Sequence, residues 1–208
     1  MDRFTPIYYI NLNHRTDRRE QFEDWIAYSG LPLEKVQRIE AIWSSDRPHL
    51  ACGMSHIKAV ETFIASKQPY GFIFEDDYLP IEILTFWDTV QKVLDSGVNF
   101  DVFLGSYNQL ESSDTEYPFL KRVHSSMTAS CYLVTREYAP TLRKCLIEGI
   151  QLAIQEEEIT KVKTDQYMND VYWQKLMKQD TWVCYYPRLG KQRPSYSDLQ
   201  RHFTEYEG

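Results

Sequence analysis

The chain has 208 residues, 43% of them hydrophobic and 25% charged, enough apolar material for one domain around one sizeable core and too much for disorder as the main state. Acidic residues outnumber basic ones 30 to 23, giving a net charge of −7, so a surface built to track nucleic-acid phosphates is disfavoured. Of the 8 glycines, the nearest pair is Gly97 and Gly105; neither a dinucleotide fingerprint nor a Walker loop can be written with that spacing.

The elements follow in chain order. Pro6 to Leu12 is a continuous apolar, aromatic run, the pattern of a strand buried on both faces. A helix is predicted from about Thr16 to Ser29, ended by Gly30 and Pro32, and a short strand near Lys35 to Ala41. Met54, Ile57, Val60 and Ile64 step at helical spacing in a second helix, Gly53 to Lys67. Phe72-Ile73-Phe74 reads as a buried strand running into Glu75-Asp76-Asp77, followed by a helix from Ile81 to Asp95 and a strand from Phe100 to Leu104. Ser106 to Lys121 is polar and aperiodic and is expected to be a long mobile loop. A strand from Thr128 to Val134 precedes a helix running to Gly149; a helix from Thr164 to Lys178 and a strand from Trp182 to Tyr186 follow. The tail from Pro187 carries Arg188, Lys191, Arg193 and Arg201 without an apolar period. Strands alternating with helices predict a mostly parallel α/β sheet in three layers, within a single domain spanning residues 1–208 with a basic tail at 187–208.

The four cysteines, Cys52, Cys131, Cys145 and Cys184, show no C-x-x-C spacing and read as free, core-filling thiols of a reducing compartment. Met1 to Phe4 leads into an apolar run too short for a signal peptide, no stretch approaches the ~20 apolar residues of a membrane span, and Glu205 to Gly208 is no retention signal. A cytoplasmic location, in the host if the source is a virus, is the expectation.

Chemistry concentrates at the strand ends. Three carboxylates directly after a buried strand lie where open α/β sheets bind ligands, and strand alternation is expected to turn Glu75 and Asp77 one way and Asp76 the other. Their mutual repulsion favours a compensating hard divalent ion, Mg²⁺ or Mn²⁺. Asn11 to Arg19, with Arg15 and Arg18 at a helix start, is a candidate anion site or a plain surface face. Ser55 reads as a helix N-cap and His56 as a structural or catalytic histidine. Asp165, at the predicted helix start, is either a cap or a general base.

Taken in order, these segments resemble glycosyltransferase family 25. The resemblance rests on Tyr9-Ile10-Asn11-Leu12 with Arg15, Asp17, Arg18 and Arg19, and on Cys52-Gly53-Met54-Ser55-His56, whose first two letters are reversed relative to the family. It rests further on Phe72 to Asp77, on Thr128 to Val134 with Ala139 and Leu142, on Asp165-Gln166-Tyr167-Met168, and on Pro187 with Gln192, Ser197 and Asp198. The family includes bacterial lipopolysaccharide galactosyl- and glucosyltransferases, animal collagen galactosyltransferases and relatives in large DNA viruses.

The resemblance implies a GT-A-like α/β/α sandwich, a UDP-hexose donor, a glycan or hydroxylated protein acceptor, a divalent cation (Mn²⁺ or Mg²⁺) and inversion at the anomeric carbon. On that reading Asn11, Arg15, Arg18, Ser55, Glu75, Asp76, Arg188 and Lys191 surround the donor, and Asp77 with Glu75 holds the metal. Asp165 takes the acceptor's proton, with His56 as its rival. The alternative is an inert transferase-like domain that binds glycan or protein. Which hexose moves, and the oligomeric state, are not legible.

Overall fold

The computed structural model describes residues 6–204; the start and end segments read above for targeting signals lie outside them. The elements are β1 (Ile7–Asn11), α1 (Thr16–Tyr28), β2 (Val36–Glu40), α2 (Pro48–Ser66), β3 (Tyr70–Glu75), β4 (Tyr78–Pro80), α3 (Phe86–Asp95), β5 (Val102–Leu104) and β6 (Asn108–Asp114). They continue with β7 (Leu120–Met127), β8 (Cys131–Thr135), α4 (Ala139–Thr160), α5 (Asn169–Tyr172), α6 (Gln174–Gln179), β9 (Trp182–Tyr185), β10 (Gly190–Gln192), β11 (Ser195–Ser197) and β12 (His202–Thr204).

An 8-stranded sheet in the order β2-β1-β3-β8-β5-β9-β7-β6 divides the molecule. β2, β1 and β3 run parallel, β8 runs against both β3 and β5, β9 is parallel to β5, and β7 opposes β9 and β6. All strands except β8 and β7 therefore point the same way, which makes the sheet mostly parallel. Alternation sends successive side chains of the central strands to opposite faces. Tyr8, Ile10 and Ile73 pack with Ala59, Val60 and Phe63 of α2 and Leu142 and Leu146 of α4. Ile7, Tyr9, Phe72 and Phe74 pack with Phe22, Trp25 and Ile26 of α1 and Phe86, Trp87 and Val90 of α3. Two helical layers with two separate cores make a three-layer α/β/α sandwich. The second core is the more aromatic one, where rings such as Tyr9 and Phe22 stack at 4.5 Å.

Several boundaries differ from expectation, each for a local reason. α2 starts at Pro48, which supplies the fixed φ of a first helical position; Ser55 therefore lies inside the helix and is not its N-cap. Residues 106–121 are not a loop but most of the β6–β7 hairpin: β6 is an exposed edge strand, so it carries no apolar alternation to read. α4 runs past Gly149 to Thr160. A Cβ at Gly149 would lie 3.0 Å from the Tyr172 ring and 3.1 Å from the Tyr167 carbonyl, so that glycine permits close packing and is not a stop signal. The helix expected over 164–178 is an irregular segment followed by two short helices, α5 and α6. β8 begins at Cys131, after Thr128 at a left-handed φ of 79°. The tail is structured: β10 pairs with β4, and β11 with β12. No helix among the described residues is long and apolar enough to cross a membrane.

Candidate active site

The carboxyl ends of β1 and β3 open into a cleft of about 1190 Å³, larger than the roughly 300–1,000 Å³ of a site for one small ligand. Its walls come from β1, the segment after β2, α2, the Asp165–Val171 segment and the tail. Backbone bonds fix the acidic triplet at its floor: the Glu75 amide donates to Ser130 O (3.0 Å) and the Asp76 amide to Ile10 O (3.1 Å).

The three carboxylates have different surroundings. Glu75 Oε1 lies 3.0 Å from His56 Nε2, and Gln192 Nε2 donates to Oε2 at 3.4 Å. Asp76 accepts from Asn11 Nδ2 at 2.7 Å and from Arg18 Nη1 at 3.0 Å. Asp77 Oδ2 lies 3.2 Å from the same Arg18 nitrogen, while its buried Oδ1 has no hydrogen-bond partner. Because β3 ends at Glu75 and the two aspartates occupy a turn, the alternation expected for the triplet stops there and one guanidinium bridges both aspartates.

Burial, helped by the neighbouring Glu75 charge and opposed by Arg18, raises the pKa of Asp76 and pushes that of Asp77 up to about 8. A single guanidinium against three carboxylates, with one buried oxygen unpaired, is a donor set suited to one more cation with a preference for oxygen ligands. Asp77 with Glu75 fits that ion. Asp170 stands on the facing wall, its Oδ2 accepting the Thr128 amide at 3.0 Å; burial raises its pKa, with Glu75 adding to the rise.

The expected site residues divide into two groups. Asn11, Arg18, Ser55, His56, Glu75, Asp76, Asp77 and Asp165 belong to the cleft or its floor. Arg15, Arg188 and Lys191 do not line it. Arg15 instead binds Asp17, Asp198 (2.6 Å) and the Tyr196 carbonyl, clamping the tail, while Arg188 donates to the Tyr107 carbonyl. Lys191 sits on β10 beside Gln192, the residue that reaches Glu75. Ser55 Oγ is used internally, donating to Ala51 O and accepting the Ile42 amide.

His56 is fully buried with both ring nitrogens engaged, Nδ1 at 3.1 Å from Tyr132 Oη. That geometry makes it a positioning residue for Glu75 and not an acceptor base. Asp165 is exposed on the cleft rim and starts no helix.

Other residues of the site carry little signal in the sequence. Arg38 Nε holds Asn11 Oδ1 at 2.8 Å, and Thr128 Oγ1 donates to Gln192 Oε1 at 2.8 Å. Asp170 is visible only as a second acid five positions after Asp165. Trp43, half exposed on the cleft lip, packs edge-on against His14.

No protein-family model matches the sequence, and no curated protein does at a significant level. Among solved structures, mannose-1-phosphate geranyltransferase from Thermus thermophilus is 7% identical with a TM-score of 0.54, the alignment covering 89% of this chain and 74% of that one. UDP-glucose pyrophosphorylase in its apo form is 8% identical (TM-score 0.49, covering 89% and 74%). A glycosyltransferase involved in the glycosylation of the major capsid of PBCV-1 is 11% identical (TM-score 0.35, covering 87% and 93%). The likeness to the Thermus protein is one of fold, an α/β/α sandwich of the GT-A-like type.

Proposed function

We propose that the cleft binds a UDP-hexose, glucose or galactose, and transfers the sugar with inversion to a hydroxyl of a glycan or hydroxylated protein, in the manner of glycosyltransferase family 25. The observation that supports this reading is the under-compensated acidic cluster at the carboxyl end of β3, buried at the floor of a cleft roomy enough for donor and acceptor together. Asp77 and Glu75 hold the divalent ion, Mn²⁺ or Mg²⁺, which when bound supplies positive charge that stabilises a departing nucleoside diphosphate. Arg18 stands beside it as a fixed cation for the phosphates, oriented by Asp76. Trp43 offers an exposed ring at the lip for stacking on a base or sugar.

The proton of the attacking hydroxyl needs a base. Two carboxylates on the same wall qualify, Asp165 at the rim and Asp170 deeper. Asp170 is the better placed: it faces the acidic floor, and its raised pKa brings it toward the working range of a base. Asp170→Asn is expected to keep UDP-sugar binding and lose transfer by roughly 10²-fold or more, with Asp165→Asn affected less. The reverse ranking would return the role to Asp165.

Donor hydrolysis across UDP-glucose, UDP-galactose and their N-acetyl forms, with and without Mn²⁺, tests the whole reading. Metal-dependent release of UDP from one donor supports it. If UDP binds but no donor turns over with any acceptor, the chain is the inert binding module.

A further inference from the structure

Beside the carboxylate floor lies a second set of ligand atoms with a different chemistry. Cys52 and His56 stand one turn apart on α2, and Glu75 ends β3 opposite them; one ligand atom from each lies within 4.8 Å of the other two. Among the described residues no other cluster of His, Cys, Asp and Glu brings three ligand atoms so close. We propose that Cys52 Sγ, His56 Nε2 and Glu75 Oε1 form a transition-metal site, selective for Zn²⁺ over Mg²⁺ and Mn²⁺, with its fourth position facing the cleft.

Three features of the surroundings fit a metal ligand set. A sulfur, an imidazole and one carboxylate make a borderline-soft site that suits Zn²⁺, whereas Mg²⁺ and Mn²⁺ prefer oxygen donors throughout. Nε2 points at Glu75 while Nδ1 faces Tyr132 Oη, so the ring has the outer partner that orients a metal-bound histidine. All three residues line the cleft, and three protein ligands with a fourth position left to a water or small ligand are the pattern of a zinc site that keeps an exchangeable position. Bond lengths of about 2.0–2.3 Å require ligand atoms closer than 4.8 Å, so binding draws the three side chains together. Cys52 binds as thiolate, its proton leaving to solvent, and His56 binds as the neutral ring with its proton on Nδ1.

The site is separate from that of the ion proposed above, although the two share Glu75. Oε1 faces His56 and Oε2 faces Gln192, so the two sites approach opposite oxygens of one carboxylate.

The test uses the full chain after chelator treatment, with Co²⁺ as a spectroscopic stand-in for Zn²⁺. One equivalent of Co²⁺ is expected to produce a thiolate-to-cobalt charge-transfer band, bleached by one equivalent of Zn²⁺ but not by about a hundredfold excess of Mg²⁺ or Mn²⁺. Cys52→Ser should abolish the band, and Glu75→Gln should weaken Co²⁺ binding at least tenfold, each with circular dichroism unchanged. X-ray absorption on the Zn²⁺-loaded wild type, which depends on no variant, should show one sulfur and mixed nitrogen and oxygen around the ion. No band, a band of equal strength in Cys52→Ser, or a sulfur-free zinc shell would overturn the site and leave His56 as a support for Glu75 alone. None of these readouts involves UDP, so they stand whether or not the cleft transfers a sugar.

Discussion

Burying Asp77 at the floor of the cleft has an electrostatic cost, and that cost has a pH signature. Its folded-state pKa, pushed to about 8 by burial and by Glu75, lies well above the ordinary carboxylate value of about 3.9. Between those two values the native state holds a proton that the unfolded chain has released, so in ion-free protein the contribution is present at low pH and lost as pH rises through about 8. Asp77→Asn removes the charge and keeps the shape. In chelator-treated protein it is expected to leave the melting temperature near wild type at pH 4 and raise it by several degrees or more at pH 8.5, since 1 kcal/mol corresponds to roughly 2–4 °C for a chain of this size. Mn²⁺ should stabilise wild type at pH 8.5 and do little for the variant. Equal melting curves for the two proteins at both pH values would mean that Asp77 is ionised and already compensated. At this scale the acidic triplet was readable because repelling neighbours on a strand end are a local pattern. The partners that decide its chemistry, Arg18, Asn11 and Gln192, come from distant parts of the chain, and only folding reveals which oxygen each one occupies.

At the level of elements, the placement of Cys52 and His56 depends on how tightly α2 lies on β3. Gly71 sets that distance: a Cβ there would sit 2.5 Å from the Phe63 ring. Gly71→Ala must push Phe63, and α2 with it, off the sheet, at a cost of about 1–3 kcal/mol as for other overpacked cores. Urea unfolding should show this loss, and the shift of α2 should weaken Co²⁺ binding at Cys52 and His56. An unchanged midpoint would show that Phe63 has room to turn aside. The helices α1 and α2 and the buried strands were legible because their apolar periods survive in sequence. The β6 strand was not, since an edge strand that sends only one apolar side chain, Leu110, to the core has no period to show. Asp165 was misplaced on a helix start for a related reason: Tyr167, Met168, Val171 and Leu176 mimic a single helical face across what is a turn and two short helices.

For the whole molecule, the tail decides whether the floor of the sheet is a groove or a cleft. The three-layer sandwich is complete at β9, yet the chain returns across the carboxyl ends of β1 and β3. β10 brings Gln192 to Glu75, and Ser195 and Tyr196 engage Arg18. The Arg15–Asp198 pair and a bond from Arg201 to the Ser45 carbonyl then anchor the β11–β12 hairpin across the opening. That hairpin pairs only with itself, so its contribution is to the site more than to the core. Basic residues read as a phosphate-binding tail are in part the fasteners of this strap: local composition showed their charge, but not that Arg15, 183 positions away from Asp198, would take the other end. Truncation after Arg193 separates the two roles. It retains β10, Gln192 and the bond from the Arg193 amide to the Asp77 carbonyl, and removes the residues from Ser197 to His202 that line the cleft. The truncated chain is expected to melt within roughly 2–4 °C of the full one, the scale of about 1 kcal/mol, and to lose most of the thermal shift that UDP with Mn²⁺ gives the full chain. A shift that survives intact would place the donor entirely on the sheet and leave the hairpin to the acceptor; a larger shift would make it a strap that the donor must displace.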